Sequence, residues 1–182
     1  MEFVECNCCG SKDLVKVYEQ PDTLFHHDEW FDVVECTRCG LGFVNPRPSA
    51  QEIGKYYPKD FFSIFDGEAE NTRRYTEQTK YLPAISRDAN GQPPLLLDVG
   101  CANGDFPRFM RQRGWRVEGL EVSDNATKID DFPVYNMPLP EIPLNGPRYD
   151  AITAWAVLEH VHDPKAYFAK AENLLKPGCT FA

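Results

Sequence analysis

The sequence of 182 residues lacks any run of about 20 apolar residues, which is the length that an α-helix needs to cross a bilayer. Its first residues also lack the basic flank and apolar stretch of a secretory signal. Basic residues are few, since 19 Lys and Arg stand against 28 Asp and Glu, for a formal net charge of -9. Such an acidic surface repels phosphate backbones and makes nucleic acid an unfavourable partner. These absences predict a soluble, cytoplasmic protein that does not bind membranes.

The chain has seven cysteines, an odd number that argues against a closed disulfide framework, and five of them lie in the first 39 residues. Residues 6–10 and 36–40 share the pattern Cys-x-x-Cys-Gly. Two residues between the thiolates let both sulfurs face one metal ion, and the glycine lets the backbone turn behind them. The repeated pattern predicts a zinc ribbon with one structural Zn²⁺, bound by Cys6, Cys9, Cys36 and Cys39.

Alternatives remain for this metal site. Cys8 could replace Cys9 as the second ligand, although the two-residue spacing and Gly10 favour Cys9. His26 and His27 lie between the two motifs and could compete as ligands, but we interpret them as surface residues of a hairpin. Redox-active dithiols or buried free thiols are the other interpretation. Four thiolates would complete a tetrahedral shell, so the zinc ion would be structural and could not activate water.

After the ribbon, a capping-box sequence at residues 49–52 opens a short helix, which Pro58 ends. An irregular aromatic stretch at residues 59–67 and a polar helix from about residue 68 to 86 follow, and a Pro-rich turn closes the segment. The expected organisation is a ribbon over 1–47, a helical and aromatic linker or lid over 48–93, and an α/β domain over 94–182.

The α/β domain is indicated by alternating strand and helix signals. Such alternation predicts parallel strands joined by crossover helices, in a Rossmann-like open sheet. The predicted strands cover residues 95–99, 116–120, 133–135 and 149–155, and the predicted helices cover 104–113 and 163–176.

The turn after the first of these strands reads Gly-Cys-Ala-Asn-Gly and begins two residues after Asp98. It fails the dinucleotide pattern, because Asp105 stands where the third glycine would be, and it lacks the Gly-Lys-Ser/Thr of a P-loop. Glu121 ends the next strand, where a carboxylate can accept hydrogen bonds from both hydroxyls of a ribose. An acid at Asp98 suits a positively charged ligand better than a pyrophosphate. The pattern therefore favours S-adenosylmethionine, whose methionine end bears an ammonium group.

Taken in their order along the chain, the glycine turn, Glu121 and the strand and helix segments around them resemble the class I S-adenosylmethionine-dependent methyltransferases. The front half is similar to a subgroup in which a Cys₄ ribbon and an Asn-Pro-Arg-Pro-Ser…Tyr-Tyr-Pro segment precede the methyltransferase domain. Members of that subgroup are often linked to methylation of sugars, polysaccharides or antibiotic-type small molecules. The residues that carry the resemblance are 96–104, Glu121, 149–152, 158–164 and 174–178, with 45–49 and 56–58 for the subgroup.

The resemblance implies a set of site residues. Around the cofactor, Asp98 would lie near the amino group and Glu121 would hold the ribose hydroxyls. His160, with His162 as a second candidate, follows the fourth strand and could serve as general base. The other implied cofactor contacts are Gly100, Cys101, Ala102 and Gly104 at the methionine part, Val122, Asn136 and Met137 at the adenine, and Ala154 and Trp155 at the sulfonium.

Two departures from the family are visible. Ala102 replaces the usual central glycine, an intrusion of one methyl group that binding should survive. The chain also ends at residues 178–182, where a fifth strand should begin, whereas the family's domain continues through a sixth and a seventh strand. We therefore expect either a fragment or a naturally short protein, whose unfinished sheet edge could pair with a second copy to form a homodimer.

The expected function is S-adenosylmethionine-dependent methyl transfer to a small-molecule acceptor, such as a nucleotide-linked sugar or a polysaccharide precursor. One alternative is an RNA methyltransferase whose zinc module recruits nucleic acid. The other is a truncated cofactor-binding protein without turnover.

Overall fold

The computed structural model describes residues 1–23, 28–58, 68–84, 86–123 and 128–182. The chain divides into two compact units, Met1–Pro58 and Lys59–Ala182. His26, His27 and the aromatic stretch at 59–67 lie outside the described residues, so their predicted roles stay predictions. No helix in the described part of the chain is long and apolar enough to cross a membrane.

The Met1–Pro58 unit contains a three-stranded antiparallel sheet. Its strands are β1 (Leu14–Pro21), β2 (Trp30–Cys36) and β3 (Gly42–Val44), in the order β1-β2-β3. The β1–β2 hairpin runs from the pair Leu14 and Cys36 to the pair Pro21 and Trp30. A hairpin therefore links the two cysteine motifs and carries them back to the same end of the sheet.

The capping-box sequence forms less helix than we predicted. The Ser49 amide and hydroxyl both donate to the Glu52 carboxylate, at 3.1 and 2.8 Å. Only a 3-10 helix at Ile53–Tyr56 follows. A glycine inside this helix and the proline at 58 explain why no α-helix propagates, because glycine disfavours helix and proline cannot donate a backbone hydrogen bond.

The Lys59–Ala182 unit contains a five-stranded sheet in which every neighbouring pair is parallel. The strand order is β6-β5-β4-β7-β8. This arrangement confirms the predicted α/β, Rossmann-like fold. The elements are α1 (Glu68–Gln78), β4 (Leu95–Val99), α2 (Asp105–Gln112), β5 (Arg116–Leu120), β6 (Val134–Tyr135), β7 (Tyr149–Thr153), α3 (Pro164–Leu174) and β8 (Leu175–Phe181).

Two predicted boundaries are wrong. The polar helix predicted to residue 86 ends at Gln78 and continues only as a 3-10 turn at Thr79–Tyr81. The final strand begins at Leu175, before the predicted start at residue 178, because Leu175 already pairs with Tyr149. The Lys176 ammonium also binds both Asp150 carboxylate oxygens at 2.8 Å and ties this strand to β7.

The order of the strands determines where a ligand can bind. From β4 the chain adds β5 and β6 on one side, and then returns to add β7 and β8 on the other. Parallel strands place their carboxyl ends at one edge, and the crevice where the order reverses is the usual ligand site of such sheets. That crevice lies beyond the ends of β4 and β7. Asp98, Thr153 and the glycine turn are all found there.

Candidate cofactor site and cysteine cluster

The glycine turn is folded tightly against its neighbours. The amides of Gly100 and Cys101 both donate to the Leu120 carbonyl, at 2.7 and 3.0 Å. Gly100 has a φ of +70°, and a Cβ there would lie 2.5 Å from Val157 Cγ2. Gly104 has a φ of +81°, and a Cβ there would lie 2.8 Å from Ile129 Cδ1. Both glycines are therefore required by backbone conformation and by space.

Ala102 adopts a left-handed conformation with a φ of +49°. An L-residue with a side chain pays about 1–2 kcal/mol in this region, whereas glycine does not. The predicted effect of the Ala102 methyl was a small intrusion into the ligand space. The structure adds a second effect, which is a strained backbone at the centre of the turn.

Glu121 connects the end of β5 to this turn. Its carboxylate is buried, with 8% of the residue exposed. One oxygen accepts a hydrogen bond from the Ala102 amide at 2.9 Å, and the other accepts one from the Ser123 amide at 2.8 Å. A carboxylate can accept about four hydrogen bonds, so two positions remain for other donors. Val122, which follows it, is 56% exposed.

Asp98 lies beside Thr153 on the neighbouring strand and is 3% exposed. The Thr153 hydroxyl donates to Asp98 Oδ1 at 2.6 Å. Burial raises the pKa of Asp98 to about 7, against the opposing effect of the Thr153 hydrogen bond, and the negative charge of Glu121 raises it further. Glu121 thus contacts the glycine turn and Asp98 lies two residues before it, and a cation bound near both carboxylates would relieve their repulsion.

The remaining predicted residues lie at the same edge of the sheet with different degrees of exposure. Ala154 and Trp155 follow β7, but their side chains pack into different cores. Asn136 is exposed and Met137 is partly buried, and both follow β6. Residue His160 is exposed, with its Nε2 atom 4.0 Å from a Glu159 oxygen, and His162 is half-buried.

The four predicted zinc ligands form a cluster in the first unit. The sulfur atoms of Cys6, Cys9, Cys36 and Cys39 all lie within 4.8 Å of one another. Cys6 and Cys39 are 3.5 Å apart between sulfurs, and Cys9 and Cys36 are 3.6 Å apart. A tetrahedral zinc ion with Zn–S bonds of about 2.3 Å separates its sulfurs by about 3.8 Å. Cys8 is exposed and stands outside the cluster.

Both cysteine motifs end in the same kind of turn. The Gly10 amide donates to the Cys6 carbonyl at 2.7 Å, and the Gly40 amide donates to the Cys36 carbonyl at 2.8 Å. Both glycines have a positive φ, of 71° and 77°. The sequence repeat is thus a structural repeat, and the donor set and spacing fit a Cys₄ zinc ion.

A family profile described as a methyltransferase domain matches residues 68–182, which is more than half of the chain. The chain belongs to this methyltransferase domain family. The match starts with α1 and extends over all five strands of the parallel sheet. It includes the glycine turn, Asp98 and Glu121.

Curated relatives of this methyltransferase domain include O-methyltransferases. The chain is 29% identical over 107 residues to the ubiquinone biosynthesis O-methyltransferase of Chromobacterium violaceum, covering 53% of this chain and 46% of that protein. It is 32% identical over 93 residues to the protein of the same name from Alkalilimnicola ehrlichii, covering 46% of this chain and 38% of that protein. The chain therefore spans less than half the length of these curated relatives.

Solved structures share the fold of the methyltransferase domain. Geranyl diphosphate C-methyltransferase from Streptomyces coelicolor, crystallised with Mg²⁺, geranyl diphosphate and S-adenosyl-L-homocysteine, superposes with a TM-score of 0.53 at 18% identity, covering 74% of this chain and 53% of that chain. The [4+2]-cyclase SpnF superposes with a TM-score of 0.52 at 20% identity, covering 60% of this chain and 42% of that chain. At such identities the likeness shows the fold alone.

Sequence reasoning missed two residues that shape the site of this methyltransferase domain. Thr153 holds Asp98, and Gly119 makes room for Cys101, because a Cβ on Gly119 would lie 2.7 Å from the Cys101 sulfur. The only available signal for the first was a threonine inside the predicted strand 149–155. The signal for the second was the glycine itself, since an isolated glycine inside a predicted strand marks a bulge or a close approach of other atoms.

Proposed function

We propose that the Lys59–Ala182 unit binds S-adenosylmethionine and takes part in methyl transfer to a hydroxyl group of a small-molecule acceptor. The observation that carries this proposal is the pair of buried carboxylates, Asp98 and Glu121, on either side of a glycine turn. Membership of the methyltransferase domain family supports the reaction type. The names of the O-methyltransferase relatives support an oxygen nucleophile.

Each carboxylate fits one end of the cofactor. Asp98 would receive the ammonium group, whose positive charge favours the ionised form of a buried acid. Glu121 would accept hydrogen bonds from the ribose hydroxyls through the positions that Ala102 and Ser123 leave. The methionine part would lie against the glycine turn, whose tight bend depends on glycine at 100 and 104.

The bound cofactor supplies a methyl group on a positively charged sulfur, which is already activated for displacement. The protein then contributes mainly alignment of the acceptor oxygen. His160 remains our candidate for the base that takes the hydroxyl proton, because it follows β7 at the ligand edge of the sheet.

We further propose that the first unit binds one structural Zn²⁺ through Cys6, Cys9, Cys36 and Cys39. The cluster of sulfurs supports this proposal, and its closed shell gives the ion no open position for catalysis.

Three adenosine derivatives test the cofactor proposal by calorimetry. We expect one molecule of S-adenosylhomocysteine to bind per chain. Methylthioadenosine lacks the amino-acid tail, so we expect its affinity to be at least about tenfold lower. NAD⁺ should not bind, because a pyrophosphate would approach Asp98. Equal affinity for the first two would contradict the role of Asp98, and preference for NAD⁺ would overturn the proposal.

A further inference from the structure

Strand β1 is an uncovered edge of the antiparallel sheet in the first unit. It pairs with β2 on one side, and no other strand in the described part of the chain pairs with it. The chain just after β3, by contrast, is paired, because the backbones of Glu2 and Arg47 exchange hydrogen bonds of 2.7 and 3.0 Å. An uncovered edge carries backbone donors and acceptors that can pair with a further strand.

The side chains of β1 are exposed on both faces of the sheet. Residues 15–20 are all exposed. Among them, Val15, Val17 and Tyr18 are apolar or aromatic, and they are 49%, 56% and 52% exposed. Neighbouring apolar side chains that stay in contact with water indicate a surface for a protein partner.

A β-bulge determines which side chains of β1 share a face of the sheet. The register of the β1–β2 pair shifts between Lys16 and Tyr18, so Val17 is an extra residue in β1. In a regular strand, residues three apart lie on opposite faces, but the bulge brings Lys16 and Glu19 to the same face. The Lys16 ammonium accordingly lies 2.6 Å from Glu19 Oε2, and it lies 2.7 Å from Asp32 Oδ1 on β2.

The bulge makes β1 complementary in charge to a second copy of itself. When two copies lie antiparallel with Val17 opposite Tyr18, Lys16 of each copy lies opposite Glu19 of the other. Residues that are opposite each other in a sheet share a face, as Lys16 and Glu19 do only because of the bulge. The same contact forms twice about a twofold axis, so the pairing closes at two chains.

We propose that β1 pairs with β1 of a second copy of this chain, so that the two sheets join into one antiparallel sheet. Backbone hydrogen bonds would hold the two edges together, and the contacts between Lys16 and Glu19 would set the register. A lysine on an edge strand usually prevents such pairing, because its charge would have no partner on the added strand. Here the second copy brings Glu19 to that position.

Sedimentation equilibrium of the full chain tests the dimer. We expect the mass to rise from 20.8 kDa towards twice that value as the chain concentration increases from about 1 to 300 µM. A single pair of strands buries less surface than a standard interface, so the dissociation constant should lie in the micromolar range.

Exchange of the two charges tests the register. Lys16→Glu and Glu19→Lys should each raise the dissociation constant at least about tenfold, because each change places like charges opposite each other twice in the dimer. The double variant restores opposite charges at both contacts. Its dissociation constant should return to within about threefold of that of the unchanged protein.

Lys12→Glu is the matched control. Lys12 lies outside β1 and pairs with Glu5 at 3.1 Å, and its reversal changes the net charge by the same amount as Lys16→Glu. The dissociation constant of this variant should change less than about twofold. An equally large rise in Lys12→Glu and Lys16→Glu would show that net charge controls association, which would overturn the pairing of β1.

Hydrogen exchange supplies a measurement that needs no variant. The backbone amides of β1 should exchange more slowly as the concentration of the unchanged protein rises, whereas those of β8 should not change. Four further results would overturn the proposal. The chain could stay monomeric at the highest concentration, the single reversals could leave the dissociation constant unchanged, the double variant could associate as weakly as the single ones, or protection could develop in β8 instead of β1.

Discussion

The Glu121 carboxylate accepts hydrogen bonds from the backbone amides of Ala102 and Ser123, and so joins the end of β5 to the centre of the glycine turn. Glu121→Gln should break this arrangement, because an amide side chain presents one oxygen and one NH₂ group where two acceptors are needed. We expect the free energy of unfolding to fall by about 1–3 kcal/mol and the affinity for S-adenosylhomocysteine to fall at least about tenfold. Denaturant titration and calorimetry measure the two effects.

Glu172→Gln is the matched control for this change. Glu172 is exposed on α3 and belongs to neither the turn nor the cysteine cluster. The Glu172→Gln variant should bind S-adenosylhomocysteine with the same affinity as the unchanged protein. Should Glu121→Gln also retain full affinity, Glu121 is not the ribose ligand.

Asp98 makes both stability and cofactor affinity depend on pH. Its pKa is raised from an ordinary 3.8 to about 7, so the folded state holds the proton more tightly than the unfolded state. The stability due to Asp98 is therefore complete below about pH 4 and is lost as the pH rises to about 7. Asp98→Asn should be more stable than the unchanged protein at pH 8, by about 1–3 kcal/mol.

Ligand binding should show the opposite trend with pH. Ionised Asp98 attracts an ammonium group, so affinity for S-adenosylhomocysteine should rise between about pH 6 and 8. The Asp98→Asn variant should bind weakly at every pH in this range, with Thr153 still able to donate to its amide oxygen. Calorimetry at several pH values follows this dependence, and a flat profile in the unchanged protein would contradict it.

The close packing of Gly119 and Cys101 can be tested by a double-mutant cycle. A Cβ on Gly119 would lie 2.7 Å from the Cys101 sulfur and 3.1 Å from the Phe132 ring. Gly119→Ala should therefore destabilise the fold by about 1–3 kcal/mol. Cys101→Ala removes the sulfur, so the double variant should lose less stability than the sum of the two single changes. Strict additivity in urea titrations would show that the sulfur is not the obstacle.

Removal of zinc should unfold the first unit. We expect one zinc ion per chain by elemental analysis, and loss of the antiparallel sheet with EDTA, since metal binding supplies folding free energy in sites of this kind. Cys36→Ser should lose the ion, whereas Cys8→Ser should retain it, because Cys8 stands outside the cluster. Retention of zinc by Cys9→Ser together with its loss in Cys8→Ser would reverse the assignment of the second ligand.

Local patterns were sufficient for much of this protein. The alternation of strand and helix signals from residue 94 predicted the parallel sheet. The predicted boundaries of β4, α2 and β5 agree closely with the observed ones. The repeated Cys-x-x-Cys-Gly motif predicted a cysteine cluster that the structure brings together. Within each cysteine motif and within each strand, residue spacing alone determines which side chains lie on the same side.

Helix and strand ends were less predictable. The polar pattern from residue 68 to 86 is compatible with one long helix, but the chain leaves it at Gln78. Likewise, Leu175 could extend α3, but it belongs to β8 because it pairs with Tyr149 on β7. Propensity sets a weak preference at such positions, and tertiary contacts override it.

The sequence by itself determined the fold class, the cysteine motifs and the two acids at the ends of neighbouring strands. Only the tertiary structure decided that Thr153 holds Asp98 from 55 positions away and that Cys101 fills the space above Gly119. The physical reason is that strand register and helix packing bring together residues with no fixed separation along the chain. No local pattern encodes such a pairing.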